Sequence, residues 1–503
     1  MKQLVLSEWL LTQLNQHKFP ARMANHRRIY EAIRRAITEQ VLPSGSRLPS
    51  TRSLAGDLNV SRNTILAAFD QLLDEGYVAA RTGSGTFVCY KQTELLFKQT
   101  ENISNNIRVS NIQIMDEIAL SKRGLAASDS PNSHLSGHEV QPFTPGDDDY
   151  SRFPIALWRR LLNRQWRALD PALLDSSHDG GYWQLRQSIA DYLRVSRAVN
   201  LNVDQVLITS GTQQSIDLCA RMLTDEGDCA WVENPCYWAA RRVLEVNGLQ
   251  LHPVSVDLEG MAPTTADFRV TPRLIYTTPS HQYPKGMVMS YGRRRLLLDY
   301  AQECDAWIIE DDYDSEFRFE GRPISSLQGM DQHGRVLYLG TFSKVMYPGI
   351  RLGYMVIPLQ LVDAFKNGLY ELQRPGQVMI QAALADFMEE GHFASHIRRL
   401  KQTYGERRRL LQAALAPIVN VGARLSAVDS GLHLVVEFDA NVDDVHVAET
   451  AAKHDLRVYP LSHYCFGNQP ERGLIIGYAY AATEHIAEYG NLLAEVIQSA
   501  LRK

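Results

Sequence analysis

The sequence predicts an α/β protein in three parts: a small head of helices and a hairpin, a large domain on a mostly parallel sheet, and a smaller α+β subdomain. Three observations predict it. Six strand-like runs, VLITS, CAWVE, LIYTTP, AWIIEDD, VLYLGTF and GYMVI, alternate with helical patterns through the middle of the chain. Such alternation argues a parallel sheet covered by helices. Residues 25–90 show helical periodicity three times and then two short strand-like runs. From about residue 396 a long basic helix leads into GLHLVVEF, LRVYPL and GLIIGYA, which read as the subdomain.

The chain has 503 residues, enough for two or three domains, with 45% hydrophobic and 22% charged residues, the composition of a soluble globular protein. No apolar run approaches the roughly 18–20 residues that span a bilayer. The opening MKQLVLSEWLLTQL carries Glu8 and no small-residue cleavage site, so it reads as a short amphipathic helix rather than a signal peptide. The six cysteines are scattered without a CxxC pair, which suits reduced thiols of a cytoplasmic protein and offers no metal site. Charge is uneven. Residues 1–90 hold 11 Lys and Arg against 7 Asp and Glu, whereas the remainder holds 41 against 50, dividing the net −5 into +4 and −9. A basic head on an acidic body fits a localised nucleic-acid site.

In the head, Ile29, Ile33 and Ile37 mark one face of a first helix over about 25–40. Pro43, Gly45 and Pro49 make a turn, Ser50 can cap a second helix over 51–58, and Ser61 a third over 62–75. The third has Ile65, Ala68, Phe69, Leu72 and Leu73 on its apolar face, and Gly76 ends it. Strands over 77–81 and 86–90 flank the turn TGSG. This is the winged helix-turn-helix layout. The domain reading is a DNA-binding head over 1–90, a linker rich in Asn, Gln, Ser and Thr over 91–116, and a body over 117–503. Arg34 and Arg35 read as a solvated face.

The body offers the parts of a pyridoxal phosphate site, which needs an amine, donors for the phosphate, a carboxylate for the ring nitrogen, and groups around the ring. Lys344, in GTFSKVMYPGIRLGY, is the amine. In SGTQQSIDLCARML a glycine follows a strand and opens a helix, so the N–H groups of Gly211, Thr212 and Gln213 suit a phosphate. Arg351 can add a charge-assisted bond and Thr341 a hydroxyl. IIEDDYDSEFR ends a hydrophobic strand with Asp311, Asp312 and Asp314, and one Asp there can hold the ring nitrogen protonated.

These segments, together with ENPCYWAAR and TTPSHQYPKG, resemble the MocR/GabR subfamily of GntR-type bacterial transcriptional regulators, which join a winged-helix head to a fold-type-I aminotransferase-like body. The resemblance covers almost the whole chain outside the linker. It implies that Lys344 takes the cofactor's aldehyde, that Asp311 pairs with the ring nitrogen and that Tyr313 reaches the phenolic oxygen. It places Tyr237 on the ring face and His281 near the ring edge. The head motif LPSTRSLAGDLNVSRNTILAAFDQLLDEGYV implies DNA contacts by Arg52, Arg62, Asn63 and Thr64, with Gly83 of the wing turn in the same set. The resemblance further implies a head-to-tail homodimer.

One position departs from the aminotransferase pattern. Where such enzymes place an arginine for the substrate carboxylate, this chain reads LIIGY with Ile475, and Arg457 and Arg472 lie nearby in sequence and could substitute for it. The reading is therefore a pyridoxal-phosphate-dependent regulator of double-stranded operator DNA that senses the cofactor, an amine or an amino acid. It is not primarily an enzyme, with room for a residual transaminase half-reaction. The alternative is an aminotransferase with an accessory head, but an enzyme gains nothing from Arg62, Asn63 and Thr64 at a helix N-terminus before a glycine-tipped wing.

Overall fold

The computed structural model describes residues 23–39, 41–81, 84–89, 120–128, 141–169, 171, 180–321, 324–374, 376–426, 430–467 and 470–502, with a few positions between 7 and 14. The chain divides into two compact units, Met1–Ile118 and Ala119–Lys503. The proposed linker over 91–116 lies outside the described residues.

In the first unit, helices α1 (Asn25–Thr38), α2 (Thr51–Asp57) and α3 (Arg62–Asp74) precede strands β1 (Val78–Arg81) and β2 (Gly85–Val88). Both expected caps form. The Ser50 hydroxyl accepts from the Ser53 amide at 3.1 Å, and that of Ser61 from the Thr64 amide at 3.1 Å, satisfying donors that a helix start leaves orphaned. Ile29, Ile33 and Ile37 of α1 meet Ile65, Ala68, Phe69 and Leu72 of α3 in one core, which also buries Leu10. β1 and β2 pair antiparallel, Val78 opposite Val88 and Arg81 opposite Gly85. The segment before α2 joins the hairpin: Leu48 donates to the Thr86 carbonyl and Val88 to that of Ser46, both at 2.9 Å. This brings Arg47 opposite Phe87.

The second unit is built on eight strands in the order β3 (Val206–Thr209), β10 (Gly353–Val356), β9 (Val336–Thr341), β8 (Trp307–Asp312), β7 (Leu274–Thr277), β4 (Cys229–Asn234), β5 (Gln250–Asp257) and β6 (Gly260–Met261). Strands β9, β8, β7, β4 and β5 run parallel. β10 runs against both β3 and β9. All six strand-like runs of the sequence are in the sheet; β5 and β6 escaped the sequence reading. The runs look uniformly apolar because both faces are covered. Leu274 and Tyr276 enter one core while Ile275, between them, enters another.

The smaller antiparallel sheet has the order β11 (Arg424–Leu425), β12 (His433–Phe438), β14 (Arg472–Gly477), β13 (Tyr459–Pro460). The basic helix expected before it is His392–Leu415. It and Ile486–Leu501 pack in the same core as the inward face of this sheet.

A buried ion pair ties helix Trp183–Ser196 to the end of β8. The Arg197 guanidinium donates to Asp312 at 2.8 Å and to the Ile324 carbonyl at 2.9 Å, and also contacts Ser280. Removing one partner of a buried pair strands the other charge, which costs about 3–5 kcal/mol. Arg197→Met should therefore lower the urea midpoint of the body sharply, and an unchanged midpoint would contradict this role.

Candidate functional site

The parallel strands β4, β7, β8 and β9 finish along one sheet edge, where α/β folds gather ligand groups. The reversed β10 begins there, because Gly353 lies opposite both Thr209 and Thr341. That register carries Arg351, two residues earlier, to the same edge. A cavity of about 710 Å³ opens at it. Gly211, Thr212, Gln213, Tyr237, Asp311, Tyr313, Thr341, Lys344 and Arg351 all line it.

Lys344 follows β9 and its Nζ donates to the Gly146 carbonyl at 2.6 Å. Its Nζ lies 4.0 Å from Asp148. Gly211 precedes helix Thr212–Leu223 with φ at 120°, a conformation that favours glycine, and nothing stands where a Cβ would project. The first residues of this helix line the same cavity as Arg351. Arg351 is itself left-handed, with φ at 48°, and makes no ion pair among the described residues. Thr341 accepts from the Ser343 amide at 3.1 Å.

Asp311 is the carboxylate at the end of β8 that lines the cavity. Its Oδ2 accepts from the Tyr276 hydroxyl at 2.7 Å, while Oδ1 is buried with no hydrogen-bond partner among the described residues. Burial pushes its carboxyl up to about 7, opposed by the Tyr276 hydrogen bond. A positively charged N–H donor would satisfy that oxygen and restore the anion. The neighbouring acids each have one oxygen engaged and Oδ1 buried without a partner among the described residues, and neither lines the cavity. Asp312 belongs to the Arg197 pair, and Asp314 lies 2.9 Å from His281 Nδ1.

The structure sets His281 one layer behind the cavity wall. Its Nδ1 is 2.9 Å from Asp314 and 2.8 Å from the Tyr313 hydroxyl. A protonated Nδ1 donates to the carboxylate, which leaves the Tyr313 hydroxyl proton for another acceptor. The ring is seated against Gly431, φ 86°, where a Cβ would fall 1.9 Å from His281 Cε1. Tyr237 stands edge-on to Tyr283, ring centroids 5.4 Å apart.

Sequence reasoning missed several wall residues. Asp147 lines the cavity. Asp148 beside it is buried with both carboxylate oxygens unpartnered among the described residues, and burial pushes it up to about 7 against the pull of Lys344. The signal was a Pro-Gly followed by three aspartates. Tyr276, Thr278, Tyr283, His433, Tyr459 and Tyr464 come one or two at a time from separate segments. Ile475 is buried with Val435, Leu461 and Tyr464 behind the aromatic wall. Neither nearby arginine lines the cavity. Arg472 pairs with Asp444 at 2.9 Å, and Arg457 lies close enough to Asp147 to counter the upward push of burial on its carboxyl.

On the head, Arg52, Arg62 and Asn63 are exposed and Thr64 is half-buried. Thr64 has a local duty, its hydroxyl 2.8 Å from that of Ser61. Gly83 lies outside the described residues. The wing carries two cations the sequence reading left out: exposed Arg47, opposite Phe87, and Arg81, whose guanidinium lies over the Phe87 ring at 4.9 Å. Arg34 pairs with Glu31 at 2.9 Å and Arg35 with Glu39 at 3.5 Å, as a solvated face would.

Residues 25–88 match the family described as bacterial regulatory proteins, gntR family, and residues 152–473 match aminotransferase class I and II. The chain is 38% identical over 454 residues to the probable rhizopine catabolism regulatory protein MocR of Rhizobium meliloti, covering 90% of each chain. It is 30% identical over 448 residues to the HTH-type pyridoxine biosynthesis transcriptional regulator PdxR of Corynebacterium glutamicum, covering 89% of this chain and 90% of that one. Among solved structures, the kynurenine aminotransferase of Pyrococcus horikoshii, in complex with PMP, superposes with a TM-score of 0.70 at 25% identity, over 76% of this chain and 97% of that one. No described helix is long and apolar enough to cross a membrane. A gntR-type helix-turn-helix head joined to an aminotransferase body, with extended identity to regulators built the same way, places the chain in the MocR/GabR subfamily of transcriptional regulators.

Proposed function

We propose that this regulator holds pyridoxal phosphate in the body cavity and operator DNA on the head, and that cofactor or amine occupancy sets its DNA affinity. The carrying observation is Asp311: a buried carboxylate oxygen without a hydrogen-bond partner among the described residues, in the cavity that Lys344, Arg351 and the N-terminus of helix Thr212–Leu223 also line. When bound, the cofactor supplies an aldehyde that condenses with amines and a protonated ring that withdraws electrons. Lys344 would present the amine, oriented by the Gly146 carbonyl. Gly211, Thr212, Gln213 and Arg351 would hold the phosphate, with Thr341 adding a hydroxyl. Asp311 Oδ1 would keep a proton on the ring nitrogen. Tyr313, freed by the His281–Asp314 pair, would donate to the phenolic oxygen, and Tyr237 would lie against the ring. Homodimer formation, with two heads on two half-sites, suits a helix-turn-helix regulator.

The aminotransferase reading draws on the body's fold and on 26% identity to an aromatic-amino-acid aminotransferase of Thermococcus litoralis over 64% of this chain. Ile475 and the head favour regulation, with transamination at most a residual half-reaction.

Protein incubated with pyridoxal phosphate should acquire a visible absorption band, and borohydride reduction with peptide mapping should place the added mass on Lys344. Lys344→Ala should lose the covalent label. Arg351→Ala should weaken cofactor binding by about 1.5–3 kcal/mol, the worth of a charged hydrogen bond. A label on another lysine would overturn the assignment.

On DNA, Arg62 stands where a recognition helix enters the major groove and Arg52 where the preceding helix nears the backbone. Arg62→Ala should cost roughly 1–3 kcal/mol for the protein's own upstream region in a gel shift. Arg52→Ala should reduce the salt dependence by about one phosphate contact. Unchanged affinity in the double variant would refute this surface.

A further inference from the structure

The cavity's walls differ in charge. The cations among its lining residues are Lys344 and Arg351, and the proposed function commits both to the cofactor. The wall on the side of the small sheet is aromatic. Tyr283 is its hub, with ring centroids 5.3 Å from His433, 5.4 Å from Tyr237 and 5.6 Å from Tyr464. His433 lies 2.7 Å from the Pro284 carbonyl, to which its Nε2–H donates, and burial drives its pKa down to about 3, so the ring is neutral. Behind this wall lies Ile475, fully buried. Two further acids stand here, Asp147 in the lining and Asp148 with both oxygens unpartnered among the described residues, with Arg457 near Asp147 but outside the lining.

A carboxylate brought here would lose its water, meet no lining cation beyond the two held by the cofactor and sit near acids, which is unfavourable. Aromatic faces and carboxylates instead favour a cationic or neutral apolar group. We propose that the effector subsite selects a primary amine with an apolar or aromatic body and no carboxylate, against the corresponding α-amino acid. Arg457 and Arg472 do not restore the missing cation, since the first lies beside Asp147 outside the lining and the second is paired to Asp444. This inference rests on the reading that the cavity holds pyridoxal phosphate.

The test is calorimetric titration of the full chain loaded with pyridoxal phosphate, using 2-phenylethylamine and L-phenylalanine, which differ only by the carboxylate. The amine should bind at least about tenfold tighter, since an unpaired charge costs more than the roughly 1.4 kcal/mol that tenfold represents. Equal or tighter binding of L-phenylalanine overturns the proposal, and so does failure of both to bind. Ile475→Arg should raise L-phenylalanine affinity by about tenfold, the worth of one charged hydrogen bond. If that variant does not fold, the wild-type pair of titrations still decides. The borohydride label separates the two claims. A label on Lys344 with the wrong preference sinks only the subsite, whereas loss of the label sinks the cofactor reading and the subsite with it.

Discussion

The direction of one strand organises the body's site. Five adjacent strands, β9, β8, β7, β4 and β5, run parallel, so Asp311 at the end of β8 and Thr341 at the end of β9 reach one edge. β10 runs the other way between β3 and β9, so its start, not its end, lies at that edge. Arg351 reaches the cavity for that reason, beside the helix that follows β3. Had β10 been parallel, the same sequence distance from Lys344 would have carried the guanidinium away from the helix N-terminus.

The edge also explains the acidic end of β8. Three carboxylates within four residues are expensive to bury, and each is handled differently. Asp312 is neutralised by Arg197, Asp314 is held by His281, and Asp311 keeps one oxygen in reserve. Asp312 and Asp314 each also keep one buried oxygen without a hydrogen-bond partner among the described residues, but of the three only Asp311 lines the cavity. The Asp314–His281 pair reaches the cavity through Tyr313, so its effect there is to position that hydroxyl.

Much of this was legible in the sequence. Fully buried strands bounded by helices read as such, and Ser50 and Ser61 announced the helix starts they cap. β5 did not announce itself, because QLHPVSVD is half-exposed and carries Pro253. The reversal of β10 leaves no trace in composition. The aromatic wall was invisible because its members come from separate segments, and pattern reading needs residues that are close in sequence. Asp147 and Asp148 went unread in the sequence, and only the fold shows them near Lys344. Their placement and the buried Ile475 turn a missing arginine from a local oddity into a statement about the charge of a whole wall.

Regulation requires that cofactor and DNA each change the other's affinity by the same factor. The direct measurement is operator affinity of the full chain, by fluorescence anisotropy at fixed salt, with and without pyridoxal phosphate, and again for Lys344→Ala. The account predicts a cofactor-dependent shift corresponding to about 1–3 kcal/mol, reduced in the variant, with an equal reciprocal shift in cofactor affinity when operator is present. Operator affinity indifferent to the cofactor, together with steady transamination at enzyme-like rates, would contradict it.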